Sequence, residues 1–163
     1  MRSRVVAGAL AGIAAGLVFG VIMHAMSAPT PDGGRMPMMV MVAMIVGSQS
    51  LAVGWIYHLF NSAVIGALFG ALLGGRARGY GSGAGWGAAW GVVWWVVGGL
   101  ILMPVLLGMP PFAALRMPPM RPLAIGSLLG HLMYGLILGA TFVRLRRPRA
   151  ERLLNLRPTA HRR

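Results

Sequence analysis

The chain has no cysteine, which excludes disulfide bridges and thiolate metal sites. It has no lysine either; all fifteen basic residues are arginine. Only two acidic residues occur among 163, Asp32 and Glu151, and neither lies in an apolar run. So few charges do not solvate the surface of a water-soluble globule. Without an intramembrane carboxylate or a thiol, general acid catalysis and covalent thiol catalysis lack their carriers. Ser62 and Ser127 each stand four residues from a histidine, but no acidic residue orients those rings as a triad requires. The glycine-rich run from Gly79 to Gly83 carries no phosphate-binding motif. The residues therefore argue against an enzyme.

What the chain has is apolar length. Hydrophobic residues make up 57%, charged residues 10%, and the mean hydropathy is +0.73. Crossing a hydrocarbon core of about 30 Å takes about 20 helical residues. Four runs meet that length, at 5–26, 51–75, 83–107 and 123–143. The expectation is an all-α membrane protein: one four-helix transmembrane domain over 1–143, followed by a basic tail over 144–163. Arg2, Arg4 and the stretch Ala25-Met26-Ser27 give the first run some features of a signal peptide. Its length and its ladder of glycines favour a packed span instead.

The arginines set an orientation. They cluster before the first run, between the second and third at Arg76 and Arg78, and from Arg144 onward. The other two loops hold only Arg35, Arg116 and Arg121. The positive-inside rule then places both termini in the cytoplasm. Beside a membrane span, an arginine-rich tail suits anionic lipid headgroups better than nucleic acid.

Small residues recur every four positions. One stripe is Gly8, Gly12, Gly16, Gly20 and His24; another is Gly54, His58, Ser62, Gly66, Gly70 and Gly74; a third is Ser127, His131, Gly135 and Gly139. A spacing of four keeps residues on one helix face, and small-xxx-small faces let membrane helices pack closely. Gly12, Gly16, Gly20, Gly66, Gly70, Gly135 and Gly139 are the expected packing positions of a glycine zipper. The runs also look duplicated. An offset of 75 carries Gly8, Gly12 and Gly16 onto Gly83, Gly87 and Gly91, and an offset of 73 carries His58 onto His131. A tandem two-helix hairpin gives a pseudo-twofold axis along the membrane normal, with His58 and His131 at one depth.

Ionisable groups inside a membrane are costly and mark functional sites. His58 and His131, with His24 nearer the surface, are thus the candidate site. Three ligand readings stay open: a metal on neutral imidazoles, a b-type haem on His58 and His131, and a proton relay. The structural alternative is an accessory subunit whose rings bond to Tyr57, Asn61, Ser62, Ser127 or Tyr134 and only lock packing. Eleven of the thirteen methionines fall on the side opposite the termini. Thioethers select Cu(I), so Met36, Met38, Met39, Met41, Met117 and Met120 form a candidate soft-metal entry; they also serve as plain gap fillers. Met38–Val46, begun by Pro37, is too short to span and reads as an interfacial or re-entrant helix. Trp86, Trp90, Trp94 and Trp95 lie mostly opposite the glycines of the third run and read as lipid-facing or interfacial. A homo-oligomer or a membrane partner is compatible with these faces.

The stretch from His58 to Arg147 resembles the YagU-like inner-membrane proteins. The resemblance rests on His58-x-x-x-Ser62, a glycine-spaced third helix ending at Pro104, the Gly108-Met109-Pro110-Pro111 turn, and Gly130-His131-Leu132. Where members of that family carry histidine and glutamate, this chain has Gly99 and Ser127. The resemblance implies a four-helix protein of the bacterial inner membrane, loosely tied to acid tolerance, with no established reaction.

Overall fold

The computed structural model describes residues 3–30 and 33–147. Asp32, Glu151, Arg2 and the tail arginines beyond Arg147 lie outside the described residues, and with them most of the expected lipid-binding tail.

Helix α1 runs Arg4–Ala25, its first turn capped by the Ser3 hydroxyl accepting from the Val6 N–H. A short antiparallel hairpin follows, β1 (Ser27–Pro29) and β2 (Arg35–Pro37), then helix α2 (Met38–Met44). Helix α3 runs Leu51–Leu72. Helix α4 (Tyr80–Trp94) continues through a π-helical stretch, Trp95–Leu102, into α5 (Met103–Leu106). Helix α6 (Ala113–Arg116) and a 3₁₀ turn (Pro118–Met120) lead into α7 (Arg121–Arg146). Four of these helical segments are long and apolar enough to cross a membrane: Arg4–Ala25, Leu51–Leu72, Tyr80–Leu106 and Pro118–Arg146.

The observed spans match the expected ones within a few residues, and the differences have local causes. The third starts earlier, at Tyr80, because the Ser82 hydroxyl accepts the Gly79 N–H and closes a capping box. The fourth starts earlier because Pro118, Pro119 and Pro122 supply the fixed φ of a helix start. The hairpin was not foreseen from the sequence; the Arg35 guanidinium holds it, donating to the Ser27 hydroxyl and carbonyl at 2.8 and 2.9 Å.

Glycine decides which helices touch. In the antiparallel pair α1 and α3, a Cβ at Gly8 or Gly12 would overlap the backbone of Gly66 or Ser62, and one at Gly70 would overlap the Arg4 carbonyl. In α4 and α7, Gly87 and Gly135 meet backbone on backbone, as do Gly83 and Gly139. Gly16 lies against the Ser62 side chain and Gly20 against the Trp55 ring. All seven expected packing glycines stand at such contacts.

The two remaining seams differ. Helix α1 lies directly on α7 through a face of Ala7, Ala11 and Ala15, all fully buried, and through Phe19, whose ring fills the space at Gly130. Helix α4 carries Trp86, Trp90 and Trp94 at the corresponding spacing of four. Trp90 donates its indole N–H to the Ile65 carbonyl of α3 at 3.1 Å, and Trp95 donates to the Ala124 carbonyl of α7. Indoles hold α3 and α4 apart where alanines let α1 and α7 close. This corrects the lipid-facing reading of the tryptophans. A bundle helix has two neighbours on different faces, so the side away from the glycines is still partly interior. Only Trp86, 41% exposed with the Arg76 guanidinium 5.7 Å over its ring, keeps the expected interfacial setting.

Candidate functional site

The propped seam leaves a cavity of about 200 Å³ between the helices, on the half of the bundle that carries α2, α5 and α6. Its walls explain its chemistry. Seven methionines line it: Met23 from α1 and Met26 just after it, Met38 and Met41 from α2, Met103 from α5, and Met109 and Met120 from the following turns. Tyr57, His58 and Asn61 line it from one turn of α3, and Ser127, His131 and Tyr134 from α7. The cavity therefore joins both candidate histidines to a methionine-rich mouth.

Each imidazole is fixed first by a backbone carbonyl, and of the side chains expected as partners only Ser127 reaches a ring nitrogen. His58 Nε2 lies 2.9 Å from the Gly16 carbonyl of α1, and the residue is 9% exposed. That bond needs the close α1–α3 approach that Gly16 and Gly20 permit. His131 Nδ1 lies 2.8 Å from the carbonyl of Ser127, one turn earlier on its own helix, and 3.3 Å from the Ser127 hydroxyl. Carbonyl oxygens only accept, so both ring nitrogens donate. Phe19 packs edge-on against both rings, with centroids 5.7 Å from His58 and 5.0 Å from His131.

Below the rings, the polar side chains bond to backbone carbonyls of α3. The Tyr134 hydroxyl donates to the Ser62 carbonyl at 2.8 Å, and the Ser62 hydroxyl donates to the His58 carbonyl. Toward the termini, Phe69 and Phe142, both fully buried, meet at right angles with centroids 5.5 Å apart.

His24 stands apart from the pair. It is exposed and does not line the cavity; its Nδ1 accepts from the Trp55 indole at 3.3 Å. Trp55 in turn packs at right angles to His58, with centroids 6.3 Å apart. Of the expected entry methionines, Met38, Met41 and Met120 line the cavity. Met36 belongs to β2, Met39 is fully buried with its carbonyl against Gly54, and Met117 is 47% exposed. Met23, Met26, Met103 and Met109 line it instead. Met23 and Met103 were legible as one turn beyond Phe19 and Gly99, once those positions are known to face the histidines.

The donor set limits what the cavity holds. Among the described residues no group of three or more His, Cys, Asp or Glu side chains is placed to hold a metal ion. An ion here would depend on two imidazoles completed by thioethers, a soft set. Haem does not fit. The volume is below the 300–1,000 Å³ usual for organic ligands, and a macrocycle ligated by both rings would have to displace Phe19. Comparison with known proteins returns no matching family model, no matching curated protein and no matching solved structure.

Proposed function

We propose that this chain is a small multi-pass membrane protein that binds a soft monovalent cation of the Cu(I) class in the cavity above His58 and His131. One observation carries the reading: a single cavity is lined by seven methionines and by both intramembrane imidazoles. Each ring gives one N–H to a carbonyl, which is how metal-ligating histidines are oriented. A neutral thioether and imidazole set suits a cation of low charge and excludes hard divalent ions, which need oxygen ligands. Below the rings Tyr134, Phe69 and Phe142 pack together, which favours a held ion over proton transfer in this reading.

Tandem duplication with glycine-zipper packing is part of the proposal. Its support is that Gly8 meets Gly66 as Gly83 meets Gly139, the same pair displaced by the two repeat offsets. The proposed setting is an inner membrane with both termini on the cytoplasmic side, where the arginines meet anionic lipid. The methionine mouth then faces outward.

The test is an oxygen-free titration of detergent-purified protein with Cu(I), competed against a chromogenic chelator. One tightly held ion per chain, with nitrogen and sulfur neighbours in its X-ray absorption spectrum, is the expected result. Loss of all copper to a weak chelator removes the metal reading and leaves the histidines as packing residues.

A further inference from the structure

The two imidazoles of the duplicated pair are held by different atoms. His58 is held through Nε2, by a carbonyl of the neighbouring helix. His131 is held through Nδ1, by a carbonyl of its own helix one turn back. The cause is local. At Gly16, α1 presents its carbonyl to the His58 ring, whereas the corresponding Gly91 of α4 lies on the His131 backbone carbonyl, too close for the ring to reach across. The His131 ring turns instead toward Gly99, where a Cβ would sit 3.6 Å from its Cε1.

A carbonyl accepts and never donates, so a neutral ring in each place carries its proton on the bonded nitrogen. Among the described residues, neither His58 Nδ1 nor His131 Nε2 has a hydrogen-bond partner. Both residues line the cavity. We infer that the pair presents opposite nitrogens, Nδ1 of His58 and Nε2 of His131, as the two imidazole ligands of one ion. Nδ1 lies nearer its own backbone than Nε2 does. The ion therefore sits off the pseudo-twofold axis, displaced toward α3. The site takes one ion per chain and not a symmetric pair.

This inference rests on the soft-metal reading, and the experiment separates the two. Full-length protein labelled with ¹⁵N-histidine in lipid nanodiscs is observed by long-range ¹H–¹⁵N correlation, first metal-free and then with Ag(I) as the redox-inert probe. Assignments come from His58→Gln and His131→Gln. The expected metal-free spectrum shows the Nε2–H tautomer for His58 and the Nδ1–H tautomer for His131. The first equivalent of Ag(I) then shifts His58 Nδ1 and His131 Nε2 together. Matching tautomers on the two rings overturn the inference, as do Ag(I) shifts on the bonded nitrogens or separate titration of the rings. Opposite tautomers with no response to Ag(I) overturn the soft-metal reading and the ligand assignment with it.

Discussion

The indole of Trp90 donates to the carbonyl of Ile65 across 3.1 Å, and that bond bridges the one helical seam of the bundle kept apart by tryptophan. On this account the ring is a spacer and the bond a clip. Trp90→Phe keeps most of the spacer and loses the clip, costing about 1 kcal/mol of stability. Trp90→Ala removes both, and a loss of about 3–5 kcal/mol is expected for deleting a large aromatic from an interior. Reversible unfolding in mixed micelles measures both variants. A lipid-facing tryptophan would make the two nearly equal and close to neutral.

The glycines divide into those at backbone contacts and those in open space. Gly66→Ala places a methyl against Gly8 and Gly12 and should destabilise by about 1–3 kcal/mol through overpacking. A Cβ at Gly85 meets nothing within 4 Å, so Gly85→Ala gains helix propensity, about 0.5–1 kcal/mol. Opposite signs for the two substitutions, read from the same unfolding transitions, are the expected outcome. Equal effects would mean that the contacts do not decide stability.

Orientation is tested by labelling. A reporter fused after Arg163 should read as cytoplasmic, and a cysteine at Ser50, in the loop before α3, should react with an impermeant thiol reagent on intact cells. Reaction only after permeabilisation would turn the methionine mouth inward and reverse the proposed direction of entry.

Much of the bundle was legible because membrane helices obey a few strong constraints. Length and hydropathy located the spans, and the spacing of Gly8, Gly12 and Gly16 named the contacting faces. The same glycine rule misled at Trp90 and Trp94. A period identifies one face of a helix, while these residues occupy a second interior face that only the neighbour's position defines. The histidine pair was legible as two rings within apolar segments; His58 is buried, His131 is half-buried, and both line one cavity. Of their partners only the Ser127 hydroxyl was legible; the nearer ones are main-chain carbonyls, which no side-chain pattern reveals. Phe19 escaped notice for a related reason: its contact with both imidazoles depends on α1 crossing α7 at Gly130. The β1–β2 hairpin was hidden because three-residue strands are too short for alternation to register.

The central claim is that His58 and His131 act as one centre. Ligands of a single ion are coupled, so losing either should remove binding almost as fully as losing both. The most direct measurement is the Cu(I) stoichiometry and affinity of the wild type, His58→Ala, His131→Ala and the double variant, each taken with its melting temperature. The wild type should hold one ion per chain, and each single variant should bind it at least about a hundredfold more weakly. The double variant should be scarcely worse, in the manner of groups that act as a unit. His24→Ala, behind Trp55 and outside the cavity, should bind like the wild type. No bound copper in the wild type, with additive melting shifts across the set, would contradict the claim.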